Sequence, residues 1–177
     1  MSKEEQIILV NKDDVRIGAM GKLETHEKGL LHRAFSIFVK NNKGEIMLQK
    51  RARGKYHSGG LWSNTCCGHP RDGADLISAA HRRLTEEMGF DCPLKEIFTF
   101  MYQANLDSGL KENEFLHVFI GEYNNAPVVN PEEVSDWKWM KFDEIKSDVS
   151  KNPDDYTYWF KIMIGKQELS SMLYRLI

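Results

Sequence analysis

"GHPRDGADLISAAHRRLTEEMGF", residues 68–90, is the stretch on which the fold turns. Ile77, Ala80, Leu84 and Met88 recur at steps of three and four, which puts them on one face of an α-helix, and Gly89 suits the residue that ends it. The remaining face carries Arg82, Arg83, Glu86 and Glu87. Charges fill the solvated face of most helices. Adjacent carboxylates just ahead of a helix-ending glycine have a second use: they hold a divalent cation, and Arg83 meets the anion that the cation carries. Magnesium takes one or two carboxylates and completes its shell with phosphate oxygens and water, so the pairing fits a diphosphate ligand.

Outward from this helix the chain reads as mostly strand. "EQIILV" forms a first strand, and "RAFSIFVKNNKGEIMLQKRA" forms two more, joined by a hairpin turn at Asn42-Lys43-Gly44. Residues 61–73 read as loop. Further strands are expected in "EIFTFMYQA", "EFLHVFIGEY" and "DWKWMKF", and a helical pattern fills most of "DDYTYWFKIMIGKQELSSMLYRLI" after Pro153. With no internal repeat or low-complexity linker, residues 1–177 read as a single α/β (α+β) domain, a mixed sheet with flanking helices.

Composition excludes several classes. At 177 residues and 41% hydrophobic the chain buries one sizeable core, and 24 basic against 26 acidic residues give no general attraction to nucleic acid. No apolar run approaches the length of a membrane span, and "MSKEEQIILV" lacks the layout of a secretory signal, so the expected place is the cytoplasm. Three cysteines, two of them adjacent, make no disulfide framework; a reducing compartment keeps them as thiols.

"NTCCGHP", residues 64–70, concentrates unusual chemistry. Its His69 joins His26, His32, Glu112 and Glu114 as candidate metal ligands, and in "ENE" read as extended chain the two glutamates share a face. Three imidazoles with two carboxylates favour zinc or manganese, or magnesium in their place, over a soft thiolate site. His57, His81 and His117 read as surface or packed residues. A zinc knuckle from Cys66, Cys67 and His69 is disfavoured, because adjacent cysteines lack the spacer of structural zinc sites.

Read from Gly68, the opening stretch resembles a degenerate Nudix box, Gly-x5-Glu-x7-Arg-Glu-x2-Glu-Glu-x-Gly, with Ala74 and Arg83 standing where the pattern has glutamates. Losing those carboxylates counts against diphosphate hydrolysis. "GKLETHEKGLLHRAFSIF", "LWSNTCCGHP", "MYQANLDSGLKENE" and "YTYWFKIM" occur in an order that resembles the type 1 isopentenyl-diphosphate isomerases, the metal-dependent Nudix-fold branch, over nearly the whole chain. The resemblance implies that Cys67 is the active-site cysteine and that Tyr102 and Glu114 form the other half of an acid-base pair. It makes His26, His32, His69, Glu112 and Glu114 the ligands of one divalent metal, Mn2+, Zn2+ or Mg2+. Glu87 becomes the contact to a diphosphate-bound Mg2+. Lys22, Arg51, Lys55 and Arg83 become diphosphate partners, Trp159 an aromatic wall, and Cys66 a small buried neighbour.

The implied reaction moves a carbon-carbon double bond by adding one proton and removing another. It needs no redox change and therefore no flavin. It passes through a tertiary carbocation, which calls for a positioned acid, a positioned base and exclusion of water. The expected partner is a small-molecule diphosphate, with neither nucleic acid nor membrane, and the expected state a monomer or weak homodimer. A Nudix diphosphate hydrolase and a non-catalytic metal-stabilised binding module are the alternatives.

Overall fold

The computed structural model describes residues 5–106 and 109–175. Helix α2 (Leu76–Met88) forms where the periodicity predicts it. The Asp75 side chain caps it by accepting from the Ser78 N–H at 3.0 Å, and Gly89 ends it in the left-handed conformation, φ 74°. Ala80, Leu84 and Met88 are buried, and they pack with Cys66, Phe35, Ile37 and Met47 into a core on one side of a sheet.

That sheet is built from β1 (Gln6–Val10), β2 (Arg16–Gly21), β3 (His32–Lys40), β4 (Glu45–Arg51), β5 (Trp62–Ser63), β6 (Cys66–Gly68), β7 (Leu94–Asn105), β8 (Lys111–Glu122) and β9 (Val134–Lys141). It is mixed. Strand β3 runs parallel to β8 and antiparallel to β6, while β7 with β8, β4 with β9 and β1 with β2 are antiparallel. Buried on both faces, β3 reads as a nearly continuous apolar run, the pattern expected of a strand with helices on either side. The opposite face carries the second core. Ala34, Phe38, Leu116 and Val118 meet α3 (Phe142–Lys151), α4 (Tyr158–Ile164) and α5 (Gln167–Arg175) there.

The hairpin turn falls at Asn42-Lys43-Gly44, where the Asn41 carboxamide accepts from the N–H groups of Lys43 and Glu45 and Gly44 takes φ 71°. Residues 61–73, expected as loop, contain β5 and β6, strands of two and three residues that are too short to show a period. The expected C-terminal helix is three pieces: a 3-10 turn at Pro153–Asp155, then α4 and α5, parted at Gly165; residues 176 and 177 lie outside the described chain. Sequence reading assigned nothing to α1 (Lys22–Lys28), which is largely polar, or to α3. The signal for α3 was present in the spacing of the buried Phe142, Ile145 and Val149. Among the described residues no helix is long and apolar enough to cross a membrane.

A β-carbon at Gly89 would lie 2.1 Å from the Val128 carbonyl oxygen, in a backbone conformation that already disfavours side chains. Gly89→Ala should therefore cost at least about 2 kcal/mol of unfolding free energy in urea titrations. A loss below 0.5 kcal/mol, on the order of a neutral surface change, would mean that the α2 terminus relaxes freely.

Candidate active site

Strand register assembles the site. The β3–β8 ladder sets His32 opposite Glu114, and the β7–β8 ladder sets Tyr102 opposite Glu114 and Ala104 opposite Glu112. Because side chains alternate along a strand, His32, Ala34, Ser36 and Phe38 share one face of β3, with Glu112 and Glu114 on the same side of β8. Helix α1 adds His26 from one end, and the residue after β6 adds His69.

The four residues His26, His32, His69 and Glu112 offer one ligand atom each within 4.8 Å of one another. His26 Nδ1 lies 2.6 Å from the Lys22 carbonyl and His32 Nδ1 lies 2.8 Å from that of Leu30. Each ring therefore donates its Nδ1–H outward and turns an Nε2 lone pair into the cluster, the orientation that backbone acceptors impose on metal-binding histidines. His32 Nε2 sits 3.2 Å from His69 Nε2, and His26 Nε2 sits 3.2 Å from Glu112 Oε2, yet these last two atoms are buried with no hydrogen-bond partner. Acceptors packed against acceptors, with polar atoms left unsatisfied, fit a cation at their centre. Glu114 borders the group, its Oε1 3.0 Å from His69 Nε2 and 3.8 Å from His32 Nε2, while its Oε2 accepts from the Tyr102 hydroxyl at 2.8 Å. Burial raises the Glu114 carboxyl, but the contacts with His32 and Tyr102 outweigh it and hold the group below its ordinary range. Burial, then the Glu114 charge, pushes the Tyr102 phenol well up.

A cleft opens over this group. Cys67 faces it, directly opposite Ser36 in the β3–β6 register, and its thiol donates to Asn64 Oδ1 at 3.1 Å. Burial, reinforced by the Glu87 charge, pushes that thiol up to about 11 against the pull of the Ser36 and Asn64 hydrogen bonds. Cys66 points the other way into the α2 core with no exposure. Lys22, Arg51, Lys55 and Arg83 all line the cleft, as do Glu87 and Trp159. Buried Glu87 accepts from Gln49 Nε2 at 2.7 Å and from Arg83. The Trp159 indole N–H donates to Ser63 Oγ at 2.9 Å, and the Arg51 guanidinium lies 5.2 Å from the ring.

Every site residue singled out from the sequence thus borders the cleft or the cluster beneath it. His81 and His117 lie apart, paired with Asp91 at 2.6 Å and with Asp14 at 3.0 Å. His57 is packed as expected, but it also lines the cleft, edge-on to Trp159 at 5.7 Å with its pKa lowered to about 3 by burial and then by Arg51. Sequence reasoning did not find Ser36, Asn64, Gln49, Tyr56 or Glu133, which touch the site through side chains of ordinary type at ordinary positions. No spacing marks them.

A family model described as "NUDIX domain" matches residues 30–160. Curated relatives named isopentenyl-diphosphate Delta-isomerase 2, from Photorhabdus laumondii and Aromatoleum aromaticum, are 55% and 53% identical to the chain. Each alignment covers 92% of this chain, with 92% of the first relative and 86% of the second. The chain belongs to the isopentenyl-diphosphate Delta-isomerase family, within the Nudix superfamily. An isopentenyl-diphosphate Delta-isomerase of Serratia proteamaculans is 46% identical over 89% of this chain and 88% of its own. Among solved structures, a Deinococcus radiodurans protein superposes with TM-score 0.71 at 16% identity over 97% of this chain and 98% of its own, a likeness of fold alone. Relative to the Nudix pattern, Ala74 ahead of α2 and Arg83 within it stand where glutamates would, and Glu86 and Glu87 are the pattern carboxylates that remain.

Manganese or zinc added to metal-free protein should raise the melting temperature. A ligand at a hundred times its dissociation constant adds about 2.7 kcal/mol, or roughly 5–10 °C for a chain of this size. His26→Ala should abolish the rise, as read by calorimetry with metal analysis; an undiminished rise in that variant would place the bound metal elsewhere.

Proposed function

We propose that this chain interconverts isopentenyl diphosphate and dimethylallyl diphosphate by protonation and deprotonation through a tertiary carbocation. The observation that carries the reading is a single cleft lined by Cys67 and the hydrogen-bonded Tyr102–Glu114 pair together with Lys22, Arg51, Lys55 and Arg83. Proton-transfer groups and several cations in one cleft suit a substrate that carries a diphosphate beside a reacting double bond.

His26, His32, His69, Glu112 and Glu114 would hold a divalent metal, and Glu87 would hold the magnesium that accompanies the diphosphate; both carboxylate oxygens of Glu87 keep a lone pair beyond their present bonds. A metal held at the histidine group would supply positive charge beside the Glu114 carboxylate. Tyr102 and Glu114 deliver a proton to the terminal carbon of isopentenyl diphosphate, and Cys67 takes one from the carbon next to the diphosphate-bearing one. In the reverse direction the roles exchange. With the thiol raised and the carboxyl lowered, the protein alone rests with sulfur protonated and carboxylate charged, the state suited to protonating dimethylallyl diphosphate. Turnover in the other direction leaves that same state, so a proton returns through solvent between cycles. The Trp159 indole face stabilises the cation by roughly 2 kcal/mol or more once water is excluded. The cationic side chains neutralise and orient the diphosphate, converting binding energy into placement of the reacting carbons.

Hydrolysis of a diphosphate is the less favoured reading, since Ala74 and Arg83 remove two carboxylates from the Nudix pattern. Incubation of purified protein with isopentenyl diphosphate and magnesium separates the two: the allylic isomer supports isomerisation, and release of phosphate in its place would overturn it.

Cys67→Ala should lower turnover by about 10²- to 10⁴-fold, the usual worth of a positioned proton-transfer group, with the fold and metal content retained. Cys66→Ala should keep substantial activity. The opposite ranking of these two variants would show that the reacting sulfur is the one in the core. In deuterated water, label should enter both product and recovered substrate. A substrate mimic with a tertiary ammonium at the cationic carbon should bind more tightly than substrate, and Trp159→Leu should weaken the mimic more than the substrate. Equal weakening would reduce Trp159 to packing.

A further inference from the structure

We propose that Glu133 is a positioning residue that sets the diphosphate subsite by fixing Lys55 and Arg83 beside one another. The inference rests on the reading of that subsite given above. One oxygen of Glu133, Oε2, accepts from Lys55 Nζ at 2.5 Å and from Arg83 Nη2 at 3.1 Å. The three residues come from separate parts of the chain: the loop after β4, helix α2, and the approach to β9. Backbone bonds key these parts together. The Ala52 N–H donates to the Glu133 carbonyl at 2.9 Å, Glu133 N–H to that of Asn130 at 3.0 Å, and Asn130 N–H to that of Glu87 at 2.9 Å.

Two cations facing one cleft repel each other, and lysine in particular loses considerable rotamer freedom when a ligand holds it. A shared carboxylate relieves the repulsion and removes that freedom before the ligand arrives, which is how preorganisation improves affinity. It does so without using up the donors. The Lys55 ammonium has three N–H groups and gives one to Glu133, and the Arg83 guanidinium has five and gives one each to Glu86, Glu87 and Glu133, so both retain N–H groups for phosphate oxygens. All three side chains are only about a fifth exposed, 20–23%, so water screens the pairs less than it would at an open surface.

The test titrates magnesium pyrophosphate into wild type, Glu133→Ala, Glu133→Gln and Glu133→Asp by calorimetry, with KM and kcat for isopentenyl diphosphate measured alongside melting temperature. Glu133→Ala should weaken pyrophosphate about tenfold, as expected for loss of a charge-assisted contact, and raise KM in step while kcat stays within about threefold. Glu133→Asp should recover most of the affinity; a purely structural loss would lower kcat and melting temperature without that split. Should the alanine variant fail to fold, the isosteric Glu133→Gln reads the same affinity change. Tighter pyrophosphate binding in either variant would overturn the proposal and make Glu133 a competitor of the anion. An unchanged KM with a fallen kcat would overturn it too. Wild type that binds pyrophosphate but forms no allylic isomer would sink the isomerase reading and leave the Glu133 comparison intact.

Discussion

The parallel pairing of β3 with β8 is the constraint on which the rest depends. These strands are far apart in sequence, and the nine register pairs from His32↔Glu114 to Lys40↔Glu122 hold them side by side. A one-residue slip would turn His32 and Glu114 to opposite faces and destroy the site while leaving the composition of the sheet unchanged. Register is protected because both faces of β3 are buried: Ala34 and Phe38 are committed to one core, and Phe35, Ile37 and Val39 to the other. The hydrophobic cores thus specify the geometry of the polar cluster. Packing and chemistry are fixed by the same pleat.

The same alternation accounts for the adjacent cysteines. Strand β6 is three residues long, and its pairing with β3 sends Cys66 into the α2 core and Cys67 into the cleft. Each neighbour then meets a different environment: Cys66 is fully buried in the α2 core with Glu87 as its polar contact, while the Cys67 sulfur has Ser36 and Asn64 within hydrogen-bonding distance. One residue of translation separates a packing atom from a chemically addressable one.

Charge is concentrated in and around the site. Glu112 and Glu114 lie buried among three histidines, an arrangement that is costly unless a cation compensates the charge. The Lys22, Arg51, Lys55 and Arg83 side chains also line the cleft, with Arg83 paired to Glu86, Glu87 and Glu133 and Lys55 to Glu133. Trp159 is tied to Ser63 through its indole N–H, and its ring lies 5.2 Å from the Arg51 guanidinium.

Much of this was legible in the chain. The period of Ile77, Ala80, Leu84 and Met88 determined α2 and its burial, Gly89 its end, and the β-rich apolar runs determined the long strands, because each of these signals is local and spans only a few residues. Ordered motifs supplied the ligand and catalytic candidates. The short strands β5 and β6, polar α1 and the break at Gly165 were not legible, since two or three residues carry no period and α1 owes its place to neighbours. Only the tertiary structure decided which partners surround the candidates: Asn64 and Ser36 at Cys67, Gln49 at Glu87, and Glu133 between Lys55 and Arg83. Those contacts join segments distant along the chain, and their existence depends on strand register and helix placement, which are properties of the packed whole and of no single segment.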